Sequence, residues 1–166
     1  PGAQVLLQYY LFLQLGMDGY RRVQGATMDV ARYLAGEIGK MPDFELWNED
    51  LDIPVFAWRL AGEDESPGED AGDSGKAAAG ARRDRQWTLY DLSERLRMRG
   101  WQVPAYPMPS DLEDVTVQRI VVRNGMSHDL ATMLVRDIRA CVHYLDQLDA
   151  PLPDSTAGGS RAGFHH

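Results

Sequence analysis

The first forty residues constrain the fold most strongly, because large apolar side chains recur at three- and four-residue spacing from Gln4 to Lys40. This spacing predicts one long helix, bent near Gly16 or Gly25. Met41-Pro42 ends it, since a proline disfavours helical backbone at the residue before it. The chain enters this helix almost at once and has no initiator methionine, so we expect it to be cut from a longer protein.

The rest of the chain combines short strands with two further helices. Aromatic and branched residues bounded by turn residues predict strands at 44–48, 54–60, 101–106 and 115–123. Thr88 is a good N-cap for a helix that runs to Arg99, with Asp91 as a variant of the capping box. Ser127 is an N-cap for the last helix, whose apolar stripe is Leu130, Leu134, Ile138, Cys141, Leu145 and Leu148. This order predicts an α+β fold with a short, mainly antiparallel sheet and helices on one face.

Two segments differ in composition from the rest of the chain. Residues 61–86 switch abruptly to Gly, Ala, Ser, Asp and Glu. Such a segment buries too little apolar surface to offset the entropy lost on ordering, so we expect a disordered loop. Pro151 and Pro153 stop the last helix, and the Gly-, Ser- and Ala-rich residues 151–166 are expected to form a flexible tail.

Charge and hydropathy exclude several classes of function. The net charge is -8 and the only lysines are Lys40 and Lys76, so the chain lacks the clustered basic residues that phosphate contacts of nucleic acids require. No apolar run approaches the roughly 20 residues that a membrane span needs. The single cysteine, Cys141, cannot form an internal disulfide or a multi-cysteine metal site. This fits a reducing compartment, and we expect a cytoplasmic protein.

Arg119 is the residue that most strongly indicates a ligand. Period-two alternation along the strand at 115–123 places it beside Val115, Val117 and Val121, on what we take to be the buried apolar face. Burying an unpaired guanidinium is costly, so an anion must meet it. That anion is either a side-chain carboxylate of the protein or a carboxylate or phosphate of a ligand, since the planar fork binds such groups in bidentate geometry.

Two adjacent histidines, His165 and His166, follow Phe164 at the end of the tail. They form either a solvated terminus or a mobile pH-sensitive segment, since imidazole titrates near pH ~6.5. Neighbouring histidines lack the helix-face spacing of the usual two-histidine zinc motif, so we expect no metal site. The chain also lacks a glycine-rich phosphate loop and a histidine, aspartate and nucleophile set, so its residues alone assign no catalysis.

Four segments in sequence order resemble the C-terminal end of bacterial-type glutamate decarboxylases. They are AQVLLQYYLFLQLGMDGYRRVQ, TLYDLSERLRMRGWQVPAY, VQRIVVRNG and the terminal FHH. The resemblance covers nearly the whole chain except residues 61–86 and the tail before Phe164, and its most specific part is WQVPAY after LSERLR.

The resemblance implies the fold of pyridoxal-phosphate enzymes of fold type I. Residues 1–40 would connect to a large domain, 41–150 would form the C-terminal small domain with the insert at 61–86, and 151–166 would be the tail. The implied reaction converts L-glutamate to 4-aminobutyrate and carbon dioxide in a homodimer or higher homo-oligomer. Pyridoxal 5'-phosphate would be attached to a lysine upstream of Pro1, so the chain alone is expected to be inactive.

The resemblance also implies roles for particular residues. Arg119 matches the arginine that binds a carboxylate of the substrate. His166, with His165 and Phe164 beside it, matches the histidine that closes the active site at neutral pH and releases it in acid. The family usually has one more residue after this histidine. Calmodulin binding, found in plant relatives, is not expected, because the tail after Leu148 has no basic amphipathic helix.

Two alternatives stay open at this point. One is a related pyridoxal-phosphate decarboxylase that acts on another amino acid, since most of the substrate pocket would lie upstream. The other is a non-catalytic α+β module that uses Arg119 to bind an anion. A Ser-x-His-Lys motif upstream in the same reading frame would eliminate the second alternative.

Overall fold

The computed structural model describes residues 2–48, 50–62 and 85–148 and builds them into an α+β layer. The helices are α1 (Gly2–Gly39), α2 (Leu89–Met98) and α3 (His128–Leu145), and the strands are β1 (Phe44–Leu46), β2 (Val55–Leu60), β3 (Ala105–Pro107) and β4 (Thr116–Val121). The strands form an antiparallel sheet of order β1-β2-β4-β3. The predicted fold class is confirmed. No helix among the described residues is long and apolar enough to cross a membrane.

The long first helix is bent at Gly16, whose φ of 58° and ψ of -173° interrupt the helical backbone. This conformation is accessible essentially only to glycine, so the predicted bend is confirmed there, whereas Gly25 stays within the helix. The two halves differ in burial. Val30, Leu34 and Ile38 lie in the core at 4% exposure or less, but the large apolar side chains before the bend are mostly exposed.

The two shorter helices begin where their capping residues predict. Thr88 accepts a hydrogen bond from the backbone of Asp91, whose carboxylate accepts one from the backbone of Thr88, so the capping box is complete. Ser127 accepts from the backbone of Leu130 at the start of α3. The predicted stripe of α3 is wrong at Leu130, which is 39% exposed, because the buried line begins at Ala131 instead.

The helices lie on one face of the sheet: α1 and α2 contact the strands, α3 packs against α1 and α2, and all three contribute to one buried cluster. Phe56, Trp58 and Leu60 alternate inward along β2 and join the buried cluster formed by the helices. On β4 the inward positions are Gln118, opposite Trp58, and Ile120, opposite Phe56. The opposite side of the sheet, which we call the outer face, carries the intervening residues of each strand and no helix from the described residues.

The strand predicted at 101–106 is shorter than expected and forms pairs only at Ala105–Pro107. Pro104 has no backbone N–H to donate to a ladder, which explains the late start. The carbonyl of Val103 instead accepts hydrogen bonds from the side chains of Ser93 and Gln118. Side chains therefore replace the sheet pairing that the proline prevents.

The insert begins and ends within ordered structure. Arg85 donates a hydrogen bond to the carbonyl of Ala61 at 2.9 Å and forms an ion pair with Asp43 at 3.5 Å. The expectation of a disordered loop over 61–86 is therefore wrong at these ends, because a buried aspartate holds Arg85 in place. The remaining residues of the insert, 63–84, lie outside the described residues.

Candidate functional site

Arg119 lies on the outer face of β4 and its side chain is exposed. As the alternation predicts, it shares this face with Val117 and Val121. The expectation that this face is buried holds at Val117, which is 1% exposed, but it is wrong at Arg119 itself and at Val121, which is 49% exposed. The reason is that β4 carries apolar residues on both faces, so alternation alone does not identify the side that the helices cover. Gln118, not Arg119, is the polar side chain buried against them.

The surroundings of Arg119 leave its charge available to a ligand. Its guanidinium carbon lies 5.4 Å from the centroid of the Tyr106 ring, a cation–π distance. Tyr106 belongs to β3 and pairs with Val117 in the sheet, which places its side chain on the same face. Among the described residues, Arg119 forms no ion pair.

A second arginine on the outer face has a different environment. Arg59 donates a hydrogen bond from Nε to a carboxylate oxygen of Glu45 at 3.1 Å, and its Nη2 forms an ion pair with the same oxygen at 2.9 Å. Its guanidinium lies over the Trp47 ring at 5.3 Å. Its charge is thus balanced by a carboxylate of the same sheet. Ala57 separates this pair from Arg119, its cross-strand partner.

The other chemically reactive residues of the described part have structural roles. Lys40 donates to Glu37 at 2.7 Å at the exposed end of α1. Cys141 is buried, and this burial raises the pKa of its thiol. His128 and His143 are exposed on α3. No group of three His, Cys, Asp or Glu side chains among the described residues is arranged to hold a metal ion.

The proposed tail residues Phe164, His165 and His166 lie outside the described residues, so the structure brings only Arg119 of the predicted site residues into view. The proximity of Tyr106 to Arg119 was not predicted. The signal was present, since Tyr106 ends the specific WQVPAY run, but the register that joins β3 to β4 is not readable from either strand alone.

Comparison with known proteins identifies related sequences over the whole chain. No family model matches. The glutamate decarboxylase of Aliivibrio fischeri is 38% identical over 167 residues, covering 100% of this chain and 32% of the relative. Glutamate decarboxylase beta of Listeria innocua is 34% identical over 164 residues, covering 99% of this chain and 31% of the relative. The chain thus spans about a third of the length of these curated relatives.

Solved structures support the same relation. The glutamate decarboxylase of Lactobacillus brevis superimposes with a TM-score of 0.71 at 41% identity, over 87% of this chain and 29% of that one. Mouse CSAD in its apo form superimposes with a TM-score of 0.54 at 22% identity, which shows a shared fold only. The layer that carries Arg119 therefore shares its architecture with part of the Lactobacillus brevis glutamate decarboxylase.

Proposed function

We propose that this chain, which is homologous along its whole length to glutamate decarboxylases, forms the C-terminal part of such an enzyme and binds a substrate carboxylate through Arg119. The main support for this proposal is the environment of Arg119. It is exposed on a sheet face, its guanidinium lies over the Tyr106 ring, and it forms no ion pair among the described residues. The names and coverage of the relatives do not favour a non-catalytic module or a decarboxylase of another amino acid.

The chemistry of Arg119 suits the proposed substrate. L-Glutamate carries two carboxylates, and a guanidinium presents a planar fork of donors that matches one of them in bidentate geometry. The position on a central strand supports this role, because Arg119 pairs with Ala57 on β2 and its neighbour Gln118 pairs with Ala105 on β3, which hold the Cα of Arg119 on a rigid element. Arg59 is less suited, since it already forms an ion pair with Glu45 and donates a hydrogen bond to it.

The described residues do not by themselves hold pyridoxal phosphate. Their only lysine, Lys40, is an ion-paired ammonium at an exposed helix end. Its side chain is 72% exposed, whereas a lysine that forms an imine is typically desolvated in an apolar pocket or placed beside another cation. We therefore propose that the cofactor is attached to a lysine elsewhere in the full-length protein, and that this chain alone is inactive.

The finer assignments are also proposals. We propose that the full-length protein converts L-glutamate to 4-aminobutyrate and carbon dioxide, assembles as a homodimer or higher homo-oligomer, and resides in the cytoplasm. The reaction and assembly are inferred from the resemblance. The cytoplasmic location is supported by the single buried cysteine, which fits a reducing compartment. His166, with His165 and Phe164, is proposed to close the active site at neutral pH.

Substitution of Arg119 in the full-length enzyme tests the proposed function. Arg119→Ala is expected to lower kcat/KM for glutamate by about 100-fold, because a lost charge-assisted contact costs about 3 kcal/mol. The absorbance of bound cofactor should stay unchanged. Arg123→Ala, which removes an exposed arginine just beyond β4, is the matched control and should keep normal turnover. An unchanged kcat/KM in Arg119→Ala would refute the proposal.

A further inference from the structure

We infer that Tyr106 is a positioning residue that holds the Arg119 guanidinium ready for a substrate carboxylate. This inference rests on the proposed function, since it gives Tyr106 a role only if Arg119 binds a carboxylate. The ring lies on edge strand β3, and the guanidinium carbon is 5.4 Å from its centroid. No other ring is in cation–π contact with Arg119 among the described residues.

The contact restrains Arg119 without using its hydrogen-bonding capacity. A guanidinium has five N–H donors, and a cation–π interaction engages the face of the ring and leaves those donors available. Arg59 shows a different arrangement on the same sheet face, because it donates a hydrogen bond to Glu45 and forms an ion pair with it. Of these two arginines, only Arg119 is both held by a ring and free to donate to an incoming anion.

The backbone around Tyr106 makes the ring a fixed support. Tyr106 precedes Pro107, and a residue before proline is restricted to extended backbone. It also pairs with Val117 on β4, two residues from Arg119. The Tyr106 side chain is half-buried, so the neighbouring residues limit its movement. A long arginine side chain loses conformational freedom when it binds a ligand, and prior restraint by this ring reduces that loss.

The size of the effect follows from the exposure of the pair. Cation–π contacts at exposed sites correspond to about a two- to fivefold change in affinity. Tyr106→Leu removes the ring and is expected to weaken carboxylate binding by that factor. Tyr106→Phe keeps the ring and loses only the hydroxyl, so it is expected to bind as the parent does. A merely structural defect would not be rescued selectively by the aromatic variant.

The test measures binding of glutarate to the full-length enzyme by calorimetry. Glutarate carries two carboxylates and no amine, so its dissociation constant reports carboxylate recognition without turnover. Tyr144→Leu is the matched control, because Tyr144 is an exposed tyrosine under Arg95, at 3.8 Å, on the helical side of the layer. It should leave the glutarate dissociation constant unchanged, whereas Tyr106→Leu should raise it two- to fivefold.

A double-mutant cycle with Arg119→Lys separates positioning from general damage. If Tyr106 acts through Arg119, Tyr106→Leu should weaken binding less when Arg119 is already a lysine. Additive effects would overturn the inference, as would unchanged binding in Tyr106→Leu while Arg119→Ala still abolishes it. If Arg119→Ala leaves binding intact, the proposed function fails and the inference fails with it. Should Tyr106→Leu not fold, Tyr106→Met in the same cycle provides the comparison.

Discussion

Asp137 on α3 is expected to stabilise the packing of α3 against the segment that follows α2. Its two carboxylate oxygens accept from the indole of Trp101 at 2.8 Å and from Arg99 at 2.9 Å, and its side chain is only 14% exposed. Arg99 is 46% exposed, so the ion pair contributes less than the indole contact. Asp137→Ala should therefore destabilise the packing of α3 against the segment after α2 by about 2 kcal/mol, the cost of losing a hydrogen bond to a charged group.

Native-state hydrogen exchange of the full-length protein, resolved by peptide, measures this change locally. About 2 kcal/mol corresponds to roughly 30-fold faster exchange of the α3 amides that open together. Asp137→Asn keeps an acceptor for Trp101 and should show a smaller effect. Glu94→Ala, which removes an exposed ion pair with Arg97, is the control and should change little. Equal exchange in Asp137→Ala and Glu94→Ala would refute the reasoning.

The same residue predicts a pH dependence with a definite sign. The hydrogen bond from Trp101, aided by Arg99, holds the pKa of Asp137 below its ordinary value of 3.8. A lowered folded-state pKa means that the stabilisation is present above the unfolded value and is lost as pH falls through the folded value. Protection of α3 amides should thus decline below pH ~4. Asp137→Asn has no carboxylate at this position to protonate, so protection of its α3 amides should fall less over the same pH range.

Two further predictions concern the ends of the chain. Deleting Phe164 to His166 from the full-length enzyme should extend activity toward neutral pH, and an unaltered pH–activity profile would contradict the proposed closure by His166. The chain expressed alone should self-associate through the first half of α1, where Leu6, Leu13 and Met17 are 68–69% exposed. Sedimentation should show less association when residues 1–17 are removed, and a monomeric intact chain would refute this.

The sequence predicted the elements well because their signals are local. The N-caps Thr88 and Ser127 and the glycine at the bend of α1 each act within a few residues, and the structure has them where expected. Strand ends were less predictable, since β3 begins only after Pro104 and depends on its partner β4. The register of neighbouring strands is a long-range property, so the approach of Tyr106 to Arg119 was not visible.

Arg119 was predicted to be buried and is exposed, which changes the argument for its role. A buried arginine would have required an anion for stability alone, so a structural ion pair would have explained it. An exposed arginine needs no such partner, and the need for an anion therefore cannot be inferred from burial. What distinguishes Arg119 is its position on a paired central strand, with Tyr106 against its charge and no carboxylate of the described residues bound to it. This arrangement leaves the guanidinium able to bind the carboxylate of a ligand. The dissociation constant for glutarate tests that binding directly.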